Sequence, residues 1–294
     1  MRSLLMAPIA ALMTFCACQT SGASENTAKT ENKTEITTES YMPDTTSAKV
    51  LVKTSLGNFT VLLYGDTPKH RDNFLKLAKE GYYDSTLFHR VIKEFMVQAG
   101  DPDSRTAAPG QHLGAGGPDY KIDAEIVFPA HFHKRGALAA ARQGDQVNPM
   151  KQSSGSQFYI VTGQKIDSTQ IAAMEARLAG TQKQEIFNRL AMEHRDSIIE
   201  MQRRGDRDGL RTLQDTLIAQ TEAEAAKIPA PAMTAEMKQA YTTVGGAPHL
   251  DGAYTVFGEI VDGMDVIDKI EKVSTDRSDR PKEDIRILSM EVLD

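Results

Sequence analysis

Residues 86–101 read TLFHRVIKEFMVQAGD, and their pattern decides the fold. Leu87, Phe88, Val91 and Ile92 precede a polar Lys93-Glu94 step, and Phe95, Met96 and Val97 follow it. Two apolar runs this short, rich in β-branched and aromatic residues, read as strands joined at Lys93-Glu94. Upstream, Val50, Leu51, Val52 and Phe59, Val61, Leu62, Leu63 flank Ser55-Leu56-Gly57-Asn58, the pattern of a β-hairpin. Thr67-Pro68 then opens a helix, with Thr67 as N-cap, Phe74, Leu75 and Ala78 on the apolar face, and Gly81 as the stop. Downstream, 136–141 (GALAAA), 155–162 (GSQFYIVT), 254–261 (YTVFGEIV) and 284–293 add strands. Gly263 to Lys272 adds a short helix. Many short strands, two helices and Gly-rich turns specify a mainly β, closed barrel rather than a doubly wound sheet.

Residues 166–246 differ in kind. Asp167-Ser168-Thr169-Gln170 has the form of a capping box. Ile171, Met174, Leu178, Ile186, Leu190, His194, Ile198 and Met201 recur at helical spacing, and Leu210, Leu213, Leu217, Thr221, Ala225 and Ile228 form a second stripe. The Arg204–Gly209 stretch between them is a turn. The spacing predicts an antiparallel helical hairpin with arms of roughly 20 residues, ~30 Å long. Gly180 is a candidate break in the first arm, His194 a residue between the arms, and Pro229 and Pro231 the end of the second. A third short helix is expected after Thr234.

The first 47 residues carry no fold pattern. Arg2 and the apolar run 4–15 (LLMAPIAALMTF) fit a signal-peptide core, too short to span a bilayer. Ala17-Cys18 closes the run in the manner of a bacterial lipobox, which implies lipidation of Cys18 and removal of residues 1–17; the alternative is an ordinary secretory signal. Cys16 is the poorer acceptor because bulky Phe15 precedes it. Residues 18–47 are rich in Thr, Ser, Glu, Asn and Lys and are expected to be a disordered tether. The expected location is the cell envelope, anchored through Cys18, at an outer membrane facing the periplasm or the exterior.

Composition narrows the function. The 294 residues hold 34 Lys plus Arg against 40 Asp plus Glu, a formal charge of −6 with no basic block, which argues against a nucleic-acid partner. The chain has two cysteines, Cys16 and Cys18, so beyond them there is no thiol nucleophile and no zinc cluster built on Cys. His131 and His133, two apart, are either a polar loop or a metal pair. Gly114-Ala115-Gly116-Gly117 lacks the Lys-Ser/Thr of a phosphate loop.

FHRVIKEFMVQAGD at 88–101 resembles the signature of the cyclophilin-type peptidyl-prolyl cis-trans isomerases. The likeness extends upstream to NFLKLAKEGYYDSTLFHR (73–90), and onward through Gly114–Gly117, GALAAAR (136–142), GSQFYIVT (155–162) and HLDGAYTVFGEIVDGMDVIDKI (249–270). It covers 48–165 and 247–294, in family order, and leaves 166–246 as a helical insertion. It implies a closed, antiparallel, eight-stranded barrel with two capping helices.

The family's reaction asks little of a site. Rotation about an X-Pro bond crosses a barrier of ~18–20 kcal/mol because amide resonance is lost, yet no bond is cut and no net proton moves. No nucleophile, metal or cofactor is required. What is required is an apolar slot, backbone anchors, and a fixed positive donor for the nitrogen lone pair that localises in the twisted state. By the resemblance, Arg90 is that donor; read alone, it is equally a strand arginine paired with a surface carboxylate. Phe95 and Met96 would floor the proline slot, with Leu250 and Tyr159 as walls; singly, each also fits plain core. Gln98 and Gln157 would hold substrate or Arg90, Ala141 and Arg142 would touch the peptide through the backbone, and Gly114 would lie across the groove. Tyr159, Arg142, His249 and Tyr254 stand where Phe, Asn, Trp and His are common, and the change at His249 bears on binding of cyclosporin-type inhibitors more than on turnover. Tyr159 is expected to add only a hydroxyl at the slot edge. The expected substrates are proline-containing unfolded or exported polypeptides, with the insertion contacting them or merely decorating the barrel. The rival reading is a proline-peptide binding module or holdase without turnover.

Overall fold

The computed structural model describes residues 46–229 and 232–293, so the leader, Cys18 and nearly all of the expected tether lie outside the described residues. Strands β1 (Ala48–Thr54) and β2 (Gly57–Leu63) form the expected hairpin, with Val50 opposite Val61 and Val52 opposite Phe59. Side chains alternate across a strand, so Val50, Val52, Phe59, Val61 and Leu63 all turn to one buried face. Helix α1 (Pro68–Lys79) follows. Thr67 is its N-cap residue, as expected, and its carbonyl accepts Arg71 N at 2.9 Å, but its side chain bonds no helix amide. The carboxylate of Glu125 instead accepts from Lys69 N and His70 N, each at 3.0 Å, and places a negative charge where the helix dipole favours one.

The chain then runs through β3 (Arg90–Ile92), β4 (Met96–Ala99), β5 (Lys121–Ile122), β6 (Ala137–Ala140), β7 (Ser153–Ser154) and β8 (Phe158–Val161). Helices α2 (Ser168–Glu193), α3 (Arg195–Arg204), α4 (Arg207–Ala225) and α5 (Ala235–Thr243) intervene before β9 (Val256–Asp262), α6 (Met264–Glu271) and β10 (Ile287–Leu293). Eight strands form one antiparallel sheet in the order β10-β1-β2-β9-β6-β8-β4-β3, and β5 pairs with β7 apart from it. The expected closed barrel is corrected to an open, curled sheet. No ladder joins β3 to β10; their seam carries one isolated bridge, Leu87 to Arg286, with a few flanking backbone bonds. The physical reason lies at the outer edge of β3, where Val91 N donates to Asp279 O at 2.8 Å, so a loop takes the position a closing strand would need.

The concave face is covered by α1 and α6, which contribute Phe74, Leu77, Val266, Ile267 and Ile270 to a core with Phe59, Phe88, Leu138 and Phe158. The central strands β6 and β8 are buried at every position. That requires a second apolar layer on the opposite face. It consists of Met96, Ala137, Ala139, Tyr159, Val161, Ala247 and Val256, with Phe95, Leu250 and Tyr254 at its margin. The functional cleft forms in this outer layer.

Residues 172–232 make a compact unit of their own, while α5 belongs with the sheet unit of 46–171 and 233–293. The helical unit holds three helices rather than two equal arms. Gly180 lies inside the continuous α2, and the first stripe breaks at His194 instead. Leu190 before this interruption and Ile198 after it enter one core with Phe187 and Leu217. Gly205 ends α3 in the left-handed region at φ 70°, and Asp206 caps α4 through Gly209 N at 2.8 Å. The capping box at Asp167 is reciprocal: Gln170 N donates to Asp167 Oδ1 at 2.9 Å, and Asp167 N to Gln170 Oε1 at 2.8 Å. None of the helices among the described residues is long and apolar enough to cross a membrane.

Candidate active site

Register across the sheet assembles the site. Arg90 on β3 lies opposite Gln98 on β4, and Gln98 lies opposite Tyr159 on β8. These three point to the outer face, while Val97 and Ala99 turn into the core. Beside this row is a cleft of about 140 Å³ lined by Arg90, Phe95, Met96, Gln98, Ala141, Arg142, Tyr159, Leu250 and Tyr254. Met96 and Tyr159 are buried beneath it. A second cavity, of about 260 Å³, shares Arg90 and Gln98 and is otherwise lined by polar loop residues, with His89 and Gly114 among them.

The Arg90 guanidinium is oriented from two sides. Its side chain is 45% exposed, and Nε lies 3.8 Å from Asp279 Oδ2 at the rim. Inward, Nη1 donates to Gln98 Oε1 at 3.5 Å. Gln98 Nε2 donates to Gln157 Oε1 at 3.0 Å, and Gln157 Nε2 to Gly116 O at 2.7 Å. This amide relay ends on backbone, so the charge facing the cleft is held by a chain of fixed dipoles.

Three expected site residues do not line the smaller cleft. Gly114 lines the larger cavity, where its φ of +100° requires glycine and its N–H donates to Asp101 Oδ2 at 2.5 Å. Gln157 lies behind Gln98 and acts on the cleft through it. His249 tilts against Phe95 with ring centroids 5.1 Å apart. The Ala141 backbone, expected to touch the peptide, also bonds within the fold. Its N–H donates to Gln157 O at 3.0 Å and its carbonyl accepts Ser154 N at 2.8 Å, so both groups serve the fold. Arg142 contributes its side chain, laid over the Tyr254 ring at 4.3 Å and bonded to Ala253 O at 2.8 Å.

The Tyr159 hydroxyl is not a free slot edge. It points inward, 3.0 Å from His133 Nε2. The other ring nitrogen of His133 is 3.0 Å from Asp251 Oδ1, and Asp251 Oδ2 accepts the Tyr241 hydroxyl at 2.6 Å. His131 and His133 both lie in the loop before β6, but their surroundings differ. His131 is partly exposed, stacked on Tyr64 and bonded to Asp66, whereas His133 is 1% exposed. The sequence signal for this network was Tyr in place of Phe at 159, since a buried phenol needs a partner. Burial, then Tyr254, pushes the Tyr159 phenol well above its usual value; burial and the Asp251 carboxylate do the same for Tyr241. Both are neutral hydrogen-bonding groups. His89, behind Arg90, is also buried, and burial lowers its pKa to about 4, so it too is neutral near pH 7.

The model of the cyclophilin-type peptidyl-prolyl cis-trans isomerase domain matches residues 49–223 and 183–292. The chain belongs to this family. A Streptococcus pyogenes protein, whose name gives an inferred dual role as phosphatase and peptidyl-prolyl cis-trans isomerase, is 34% identical over 85% of this chain. The chain spans only 39% of that protein's length. A Staphylococcus aureus protein named as an inferred peptidyl-prolyl cis-trans isomerase is 30% identical over 83% of this chain and 91% of its own. The Arabidopsis thaliana peptidyl-prolyl cis-trans isomerase CYP18-2 is 26% identical over 87% of this chain and 99% of its own. Within this cyclophilin-type chain, the family signature at 88–101 is the segment that forms β3, β4 and the cleft floor.

Proposed function

We propose that this chain is a peptidyl-prolyl cis-trans isomerase whose proline slot is the cleft floored by Phe95 and Met96. The observation that carries the reading is the register pair Arg90–Gln98, which sets a guanidinium beside an apolar cleft. A proline ring against Phe95, Met96, Tyr159 and Leu250 is desolvated, and its imide nitrogen faces Arg90. As the C–N bond twists, the nitrogen pyramidalises and its lone pair becomes a hydrogen-bond acceptor. A guanidinium already held by Gln98 and Asp279 favours that state over the planar one without reorganising. A twentyfold to thousandfold acceleration from one such donor corresponds to about 2–4 kcal/mol.

The substrates fitting this reading are X-Pro segments of exported polypeptides, met at the cell envelope by a chain anchored through Cys18. The apolar run 4–15 ending at Ala17-Cys18 supports that placement. A protease-coupled assay on an X-Pro tetrapeptide tests the activity. Wild type accelerates isomerisation and Arg90→Ala loses most of the acceleration; wild-type rates no higher than those of Arg90→Ala favour the binding-module reading instead.

A further inference from the structure

The Tyr241–Asp251–His133–Tyr159 network is buried, and of its four members Tyr159 lines the cleft. Its members come from four places in the chain, with Tyr159 on β8. Tyr241 lies on α5, His133 precedes β6, and Asp251 directly follows the cleft residue Leu250. The Asp251 carboxylate, 2% exposed, has three donors: His133 N at 2.9 Å, His133 Nδ1 at 3.0 Å and the Tyr241 hydroxyl at 2.6 Å. The His133 ring thus bridges the two groups, with Nδ1 3.0 Å from Asp251 Oδ1 and Nε2 3.0 Å from the Tyr159 hydroxyl. The packing permits no slack. A Cβ on Gly246 would stand 2.3 Å from His133 O and 2.5 Å from the Tyr241 ring, so glycine lets helix α5 close on this network. Tyr254 meets both the His133 and Tyr159 rings edge-on, at 6.3 and 6.1 Å, and confines them from the cleft side.

We propose that His133 is a positioning residue for the cleft, holding the Tyr159 ring as a fixed wall through a bond that Asp251 and Tyr241 keep in place. The proposal rests on the isomerase reading of the cleft and adds a dependence on groups outside it. Removing the imidazole leaves the Tyr159 hydroxyl without its partner in an apolar layer and takes one of three donors from Asp251, and the Tyr159 ring relaxes to satisfy its hydroxyl. Peptide binding weakens because the slot no longer has one shape, while Arg90 stays where it is.

The test uses the full chain and an X-Pro tetrapeptide, reading Kd by calorimetry alongside kcat and KM. His133→Leu is expected to raise Kd and KM about tenfold, with kcat changed by less than about threefold. His133→Gln, whose amide both donates and accepts, is expected to return Kd to within about threefold of wild type. Tyr241→Phe removes only the far bond and is expected to raise Kd about threefold. If His133→Leu does not fold, Tyr241→Phe against His133→Gln still decides. The proposal is overturned if Kd is unchanged in His133→Leu and Tyr241→Phe, or if Gln and Leu at 133 weaken binding equally. A wild type that binds but does not turn over defeats the isomerase reading, and the Kd series still judges the network.

Discussion

Arg90 and Gln98 face each other across β3 and β4, and the only side-chain amide relay behind that pair among the described residues runs through Gln157 to Gly116 O. The guanidinium is thus steered by groups that need not contact substrate. Gln98→Leu keeps the side-chain volume and removes the relay. It is expected to lower kcat about tenfold, or about 1.4 kcal/mol, with peptide Kd changed less. Steady-state kinetics paired with calorimetry checks this, and a change confined to Kd would make Gln98 a binding group only.

His89 gives the fold an acid-sensitive element. Its folded pKa of about 4 lies below the ordinary 6.5, so the unfolded state takes up the proton first as pH falls. The stability it contributes is fully present above about pH 6.5 and is lost as pH falls toward 4, by up to about 3 kcal/mol. Denaturant midpoints from pH 7 to 4 are expected to fall in wild type and to fall less in His89→Gln. Parallel slopes in the two proteins would remove His89 from the account.

Glu125 caps a helix from a distant loop and also holds His70 Nδ1 at 2.7 Å, while His70 Nε2 meets Ser153 Oγ at 2.9 Å. Bonds from His70 and from the amides of Lys69 and His70 outweigh its partial burial and keep its carboxyl below the usual range. Glu125→Ala leaves two helix amides and a buried imidazole without their acceptor. A loss of about 2–3 kcal/mol is expected by chemical denaturation. An unchanged midpoint would mean that solvent replaces the carboxylate at no cost.

The proposed anchor has its own readout. Cells fed labelled palmitate are expected to incorporate label into the wild-type chain and not into Cys18→Ser, which should leave the membrane fraction. Label retained by Cys18→Ser would contradict the assignment of Cys18.

Local pattern made much of this legible. The hairpin at 48–63, the strands around Lys93-Glu94 and the residues of the cleft floor are contiguous in sequence, and alternation or a family signature exposes them. What stayed hidden depends on partners far along the chain. Thr67 holds the N-cap position, yet the side-chain cap bonds come from Glu125 in a loop 55 residues from His70. The curled sheet looked closed because strand count does not reveal that Asp279 occupies the edge of β3. Gly180 has the look of a helix break, but the interruption falls at His194, between Leu190 and Ile198 of one shared core. His133 and Tyr241 carried no motif at all. They matter because Gly246 lets their segments meet, a relationship that exists only in three dimensions.

The central claim is that the guanidinium, rather than the apolar cleft alone, eases the twist. NMR exchange spectroscopy on an X-Pro peptide reads binding and interconversion in one sample, with wild type, Arg90→Lys and Arg90→Ala compared. The account predicts that all three bind the peptide, that wild type gives strong cis–trans exchange peaks, and that Arg90→Ala exchanges about a hundredfold more slowly or not at all. Exchange in Arg90→Ala at the wild-type rate would contradict it.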